Sequence, residues 1–203
     1  MTPGAITHLS RADQTMARLI KKVGPCRLKP QRQRPPFQAL VRSVTFQQLN
    51  GKAAETILGR VLALYPGKKF PTPEELLATP DENLRAAGLS RSKTAAVKDI
   101  AAKTLAGVVP DSRAIKQLSN EEILERLTSV RGVGPWTVEM LLMFTLGRED
   151  VLPATDFGVR KGFALTYGLK ELPSPKVLLA HGEKWRPHRT TASWYLWRAV
   201  DLD

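Results

Sequence analysis

The sequence predicts an all-α protein. Apolar residues recur at helical spacing along almost the whole chain. No segment sustains the apolar–polar alternation of a half-buried strand. Cap residues, prolines and glycines stand where helices would begin and end. Short β-branched runs such as Val108-Val109 and Asp150-Val151-Leu152 fall below strand length. No internal repeat at a fixed period is present, so a solenoid is not expected.

Each expected helix has a local cause. Ile6 to Val23 places Ile6, Leu9, Met16, Leu19, Ile20 and Val23 on roughly one face. Lys29 to Pro36, with three prolines, reads as an extended connector. Phe37 to Leu49 turns Phe37, Leu40, Val41, Val44 and Phe46 inward, and Asn50 or Gly51 interrupts it. Ala53 to Tyr65 ends before Pro66-Gly67. Thr72 caps a helix that has Pro73 in its first turn. Ser90 caps a longer one reaching about Leu105, and Ser119 with Glu122 forms a capping box for a helix to Leu127. Four more follow: Trp136–Leu146, Asp156–Tyr167, Pro175–Lys184 and Pro187–Val200.

The 203 residues suffice for one large domain or two small lobes. A net charge of +12 points to a polyanionic partner, most simply nucleic acid. Residues 1–35 alone carry a balance of +7. The single cysteine, Cys26, excludes an internal disulfide, a four-cysteine zinc site and a cysteine-ligated iron–sulfur cluster. His8, His181 and His188 show no metal-ligand spacing. With no membrane-length apolar run and no signal-peptide core, a monomeric protein of the cytoplasm or nucleoid is expected, or of the nucleus in a eukaryote.

The chemistry concentrates in LTSVRGVGPWTVEMLLMFTLGREDVLPATD, residues 127–156. Gly132 and Gly134 let a hairpin bend tightly and approach a partner. Pro135 then opens a helix whose first amides and dipole suit a phosphate. Backbone contacts around Gly132, Gly134, Trp136 and Thr137 would position DNA without reading its bases. The carbonyls of Thr128, Val130 and Val133 are candidates for a monovalent cation bridging to DNA. Farther on, Thr155 is expected to cap the next helix, with Asp156 in its first turn. The helix dipole favours an ionised carboxylate there, which can stabilise positive charge building on a sugar or orient an attacking water.

Four blocks carry a resemblance: FQALVRSVTFQQLNGKAAETI (37–57), GLSRSKTAAVKDIA (88–101), LTSVRGVGPWTVEMLL (127–142) with LPATDFGVRKGF (152–163), and KWRPHRTTASWYLWR (184–198). Together they resemble the helix-hairpin-helix DNA glycosylase superfamily, in particular its 3-methyladenine DNA glycosylase II branch. The resemblance implies two helical lobes, residues 37–149 and residues 1–36 with 150–203, and a cleft that receives a flipped nucleotide. It implies that Asp156 is catalytic. Bifunctional members carry a lysine nucleophile where this chain has Trp136, so hydrolysis without strand nicking is implied.

Within that resemblance, Trp136 and Trp197 match aromatic positions of the base pocket, with Gln47 and Phe46 beside them. Indoles suit bases methylated at ring nitrogens, whose positive charge is attracted to an aromatic face by roughly 0.5–2 kcal/mol. That charge also weakens the glycosidic bond, so one carboxylate can suffice. Gln47 and Gln48 lie in the block that carries the wedge filling the gap left by the flipped nucleotide, a role assigned to Gln48, and Ser90 and Lys93 are candidate phosphate contacts. The implied activity is cofactor-free removal of alkylated purines from double-stranded DNA. The rivals are a glycosylase for another lesion (uracil, a mismatched or an oxidised base) and a non-catalytic DNA-binding module.

Overall fold

The computed structural model describes residues 3–202. Among the described residues there are twelve α-helices and no strand. The chain divides into two compact units. One comprises the N-terminal stretch as far as Gln31 together with everything from Leu142 onward; the other runs from Arg32 to Leu141.

The discontinuous unit begins with α1 (Pro3–Ala12) and α2 (Gln14–Val23). The sequence leads one to expect a single helix here. Instead Asp13, at φ −153°, breaks it and caps α2 by accepting the N–H groups of Thr15 and Met16. The second oxygen of Asp13 explains the break. It accepts the hydroxyl of Tyr167 at 2.5 Å and the indole N–H of Trp185 at 3.1 Å, with His181 at 3.1 Å and the Lys184 ammonium at 3.0 Å. A buried carboxylate needs such partners.

The rest of this unit is a π-helical turn (Leu142–Leu146), α10 (Phe157–Tyr167), α11 (Pro175–Gly182), a 3-10 turn (Glu183–Trp185) and α12 (Arg189–Val200). Its core gathers Leu9, Met16, Leu152, Phe163, Trp185, Tyr195 and Leu196. In chain order, the two α-helices expected at the C-terminal end are shorter than their apolar pattern, because Glu183–Trp185 tightens to 3-10 geometry and α12 starts at Arg189.

The continuous unit holds α3 (Pro36–Phe46), α4 (Gly51–Ala63), α5 (Pro73–Ala78), α6 (Asp81–Ala86), α7 (Arg91–Leu105), α8 (Asn120–Thr128) and α9 (Pro135–Leu141). Helix α7 is its axis, with α3, α5 and α6 packed on it. Leu40, Val44, Leu58, Val97, Ile100, Ile123, Leu127 and Val138 fill its interior. Thr72 and Ser119 form their capping boxes with Glu75 and Glu122. Helix α6 has a single buried residue, Leu84, and therefore no apolar stripe to announce it.

Candidate active site

Asp156 is itself the N-cap of α10; Thr155 precedes the cap. The Oδ1 atom of Asp156 accepts the N–H of Val159 at 2.8 Å and the indole N–H of Trp197 at 2.8 Å. Trp197 lies on α12 and stacks on Phe144 of the π-helical turn, with ring centroids 5.7 Å apart and planes 28° from parallel. Two donors on one oxygen fix the plane of the carboxylate. Sequence reasoning singled out Asp156 and Trp197 but neither their bond nor Phe144.

Helix α12 also holds the approach to Asp156. Arg189 grips Asp150 through both carboxylate oxygens, at 2.6 and 3.0 Å. Thr190 accepts the N–H of Val151 and donates to the carbonyl of Arg148, while its own N–H reaches Glu149. Bidentate arginine pairing and buried threonine bonding of this kind make a loop rigid. Asp156 is thus supported from two directions by one helix.

Helix α10 crosses α12 closely because two of its residues lack a side chain. A Cβ at Gly162 would lie 1.8 Å from the carbonyl oxygen of Leu196, and one at Gly158 would lie 2.8 Å from Cδ1 of Trp197. Two glycines four apart in a helix are the one sequence signal that could have revealed this contact, since glycine costs a helix roughly 0.5–1 kcal/mol relative to alanine. A cavity of about 440 Å³ in the same unit, lined by Arg18, Lys22, Leu165, Thr166 and Ala199 among others, lies at the other end of α10 and contains no carboxylate.

In the continuous unit, the hairpin between α8 and α9 turns at Gly132, φ +76°. Gly132 also lets the hairpin approach α7, because a Cβ there would lie 2.7 Å from that of Ala96. Gly134 differs from the expectation of two bending glycines: it has no positive φ, and a Cβ there would meet open space. The Arg131 N–H is taken by Asp99 at 2.7 Å. The hydroxyl of Thr137 is buried and accepts from Gln47, so it does not face a phosphate. Trp136, at the start of α9, is 38% exposed.

For the candidate cation, Val130 accepts the N–H of Val133 at 3.0 Å, and the Lys103 ammonium bonds the adjacent Ser129 carbonyl. The hairpin's oxygens are therefore already partly engaged. Among the described residues no group of three or more His, Cys, Asp or Glu side chains is placed to hold a metal ion.

The turn between α3 and α4 departs most from expectation. Gln47 does not stand open as a pocket wall; its amide donates to the Gly132 carbonyl at 3.0 Å and to the Thr137 hydroxyl at 3.1 Å. Phe46 is half-buried beneath the Arg42 guanidinium, 4.3 Å from the ring centroid. Lys93 directs its ammonium at the carbonyls of Thr45 and Gln47, at 2.8 and 2.7 Å, and burial pushes it below the usual lysine range. Ser90 caps α7 by accepting the Lys93 N–H. Gln48 is exposed and left-handed, φ +57°, the one non-glycine residue with positive φ among the described residues.

An all-helical, basic chain with a glycine hairpin and a helix-capping, tryptophan-bound carboxylate has the parts of a DNA base-repair protein. Residues 41–188 match the HhH-GPD superfamily of base excision DNA repair proteins, and the chain belongs to that family. It is 42% identical over 196 residues to DNA-3-methyladenine glycosylase 1 of Schizosaccharomyces pombe, covering 96% of this chain and 86% of that protein. The solved structure of the 3-methyladenine DNA glycosylase of that yeast, in complex with abasic DNA, superposes with a TM-score of 0.88 at 42% identity, covering 96% and 95% of the two chains. The DNA-3-methyladenine glycosidase of Bacillus halodurans gives 0.86 at 36% identity over 98% and 89%. No helix among the described residues is long and apolar enough to cross a membrane.

Proposed function

We propose that this protein is a monofunctional DNA-3-methyladenine glycosylase that removes alkylated purines in base excision repair. The observation that carries this is Asp156, a carboxylate fixed at the start of α10 by Val159 and Trp197. Its negative charge stabilises the cationic sugar that forms as the base departs, and it directs water to that carbon. No acid is needed for a leaving base that already bears positive charge. Trp136 in place of a lysine supports hydrolysis without a Schiff base, and therefore an intact strand. The relatives' names support the substrate class.

The remaining roles follow the same reading. Trp197, backed by Phe144, offers aromatic surface to a cationic base. Gln48 is the wedge, and its strained backbone is what an over-determined functional turn retains. The hairpin at Gly132 and Gly134 receives a phosphate, where the open space at Gly134 leaves room for the close approach. The chain acts as a monomer.

The test is base release from randomly methylated duplex DNA, with the products separated by chromatography and the strand examined for nicks. Free 3-methyladenine or 7-methylguanine with an unbroken strand is expected. Asp156→Asn should abolish release while DNA binding persists. Base release by that variant would overturn the catalytic assignment, and nicking by the native protein would overturn monofunctional hydrolysis.

A further inference from the structure

Gly158 is the second residue of α10, two positions beyond Asp156. Its backbone is helical and not left-handed, so conformation does not demand glycine there. In a helix alanine is the better residue. The reason for glycine lies in what surrounds it. A Cβ at this position would lie 2.8 Å from Cδ1 and 3.1 Å from Nε1 of Trp197, and 3.2 Å from Oδ1 of Asp156. Beyond that ring carbon, the two atoms it would meet are the donor and the acceptor of the Trp197–Asp156 hydrogen bond.

The neighbouring glycine provides the contrast. Gly162 faces backbone, the carbonyl of Leu196, and so sets the separation of α10 and α12. Gly158 faces a side chain and so sets where one indole sits. Trp197 is also held by its stack on Phe144 and by the carboxylate it bonds. A methyl group at 158 would push on the pyrrole edge, which carries the N–H. The indole has two torsions with which to respond, and any rotation that clears the methyl moves its N–H relative to Oδ1 or tilts it off Phe144.

We infer that Gly158 is a positioning residue for base excision: its missing side chain admits the Trp197 indole to Asp156, and so holds carboxylate and pocket wall in one arrangement. The inference rests on the reading of Asp156 as the catalytic carboxylate. Preorganised charge is effective only when its orientation is held before the reaction. The bond from Trp197 supplies that orientation, and Gly158 makes the bond sterically possible.

The experiment uses the full chain and a duplex bearing 7-methylguanine. Single-turnover release is measured for the native protein, Gly158→Ala, Trp197→Phe, the double variant and Asp156→Asn. Gly158→Ala should slow release about tenfold or more, as expected for loss of a hydrogen bond to a charged group. Its affinity for an abasic duplex should change by less than about twofold, and its thermal midpoint should fall only modestly, because the helix preference of alanine offsets part of the crowding and of the lost bond. In the Trp197→Phe background the same substitution should change release by less than about twofold, the non-additivity expected of residues acting through one contact.

A second readout does not depend on turnover. The indole N–H resonance of Trp197, assigned by its absence from Trp197→Phe, should move upfield and exchange faster in Gly158→Ala. Native-rate release by Gly158→Ala, an equal loss in both backgrounds, or an unmoved resonance would each overturn the inference. Base release by Asp156→Asn would instead overturn the catalytic reading. An inactive Asp156→Asn beside a fully active Gly158→Ala would leave that reading standing and remove only the role of Gly158.

Discussion

The ammonium of Lys93 lies 2.7 Å from the carbonyl oxygen of Gln47, so a lysine at the start of α7 closes the end of α3. Unpaired carbonyls and the negative pole of the helix dipole gather at that end, and a cation there meets both. Lys93→Met keeps the stem and removes the charge. It should lower stability by about 1–2 kcal/mol in urea unfolding. The slope of DNA affinity against salt should stay unchanged; a slope reduced by about one would mean that Lys93 contacts a phosphate instead.

Gln48 sits in a backbone region that costs a residue with a Cβ roughly 1–2 kcal/mol. Gln48→Gly removes that cost together with the side chain. Its unfolding free energy should rise by about 0.5–1 kcal/mol while base excision slows, measured on the same preparation. A more stable variant that excises at the native rate would show that Gln48 is not the wedge.

Gly162 and Gly134 should respond oppositely to alanine. At Gly162 the added carbon would overlap the Leu196 carbonyl, and α10 and α12 would have to separate. Thermal denaturation should show a loss of about 3 kcal/mol or more. At Gly134 the added carbon enters open space, so the melting temperature should hold while DNA affinity falls.

Acid should weaken the discontinuous unit through the groups around Asp13. Burial pushes His181 below its usual 6.5 and prevails over the attraction of Asp13. Burial would raise the Asp13 carboxyl, but the bonds from Tyr167, Met16, Lys184 and Trp185 prevail and hold it well below its usual 3.8. Both values are depressed by folding, so the unfolded chain binds more protons as pH falls and stability falls with it. The His181 contribution is complete above 6.5 and declines below it; that of Asp13 declines below 3.8. The melting temperature should therefore drop between about pH 7 and pH 5, and His181→Gln should flatten that interval.

Local signals were legible and long-range ones were not. Thr72–Glu75 and Ser119–Glu122 each complete a cap within four residues, so the sequence contains all of their physics. Asp13 looks like one more polar residue in an apolar period, because the partners that break the helix there lie more than 150 positions away. Thr155 and Asp156 are both good caps, and spacing alone could not choose between them. Lys93 reads as a phosphate ligand until the end of α3 is seen beneath it. Trp197 and Asp156 were each legible as types, while their bond depends on two glycines whose purpose appears only when α10 meets α12.

The division of the chain also imposes a timetable. Every helix from α3 to α9 is contiguous, so that unit can close on the ribosome as soon as Leu141 has emerged. Helices α1 and α2 are made before that unit, yet the helices they pack on are made after it. Helix α12, which brings Arg189, Thr190 and Trp197 to the carboxylate, follows every other helix among the described residues. A nascent or prematurely terminated chain lacking it would present the Gly132 hairpin with Asp156 unsupported. Excision of bases from the genome would thus have to wait until α12 has been made.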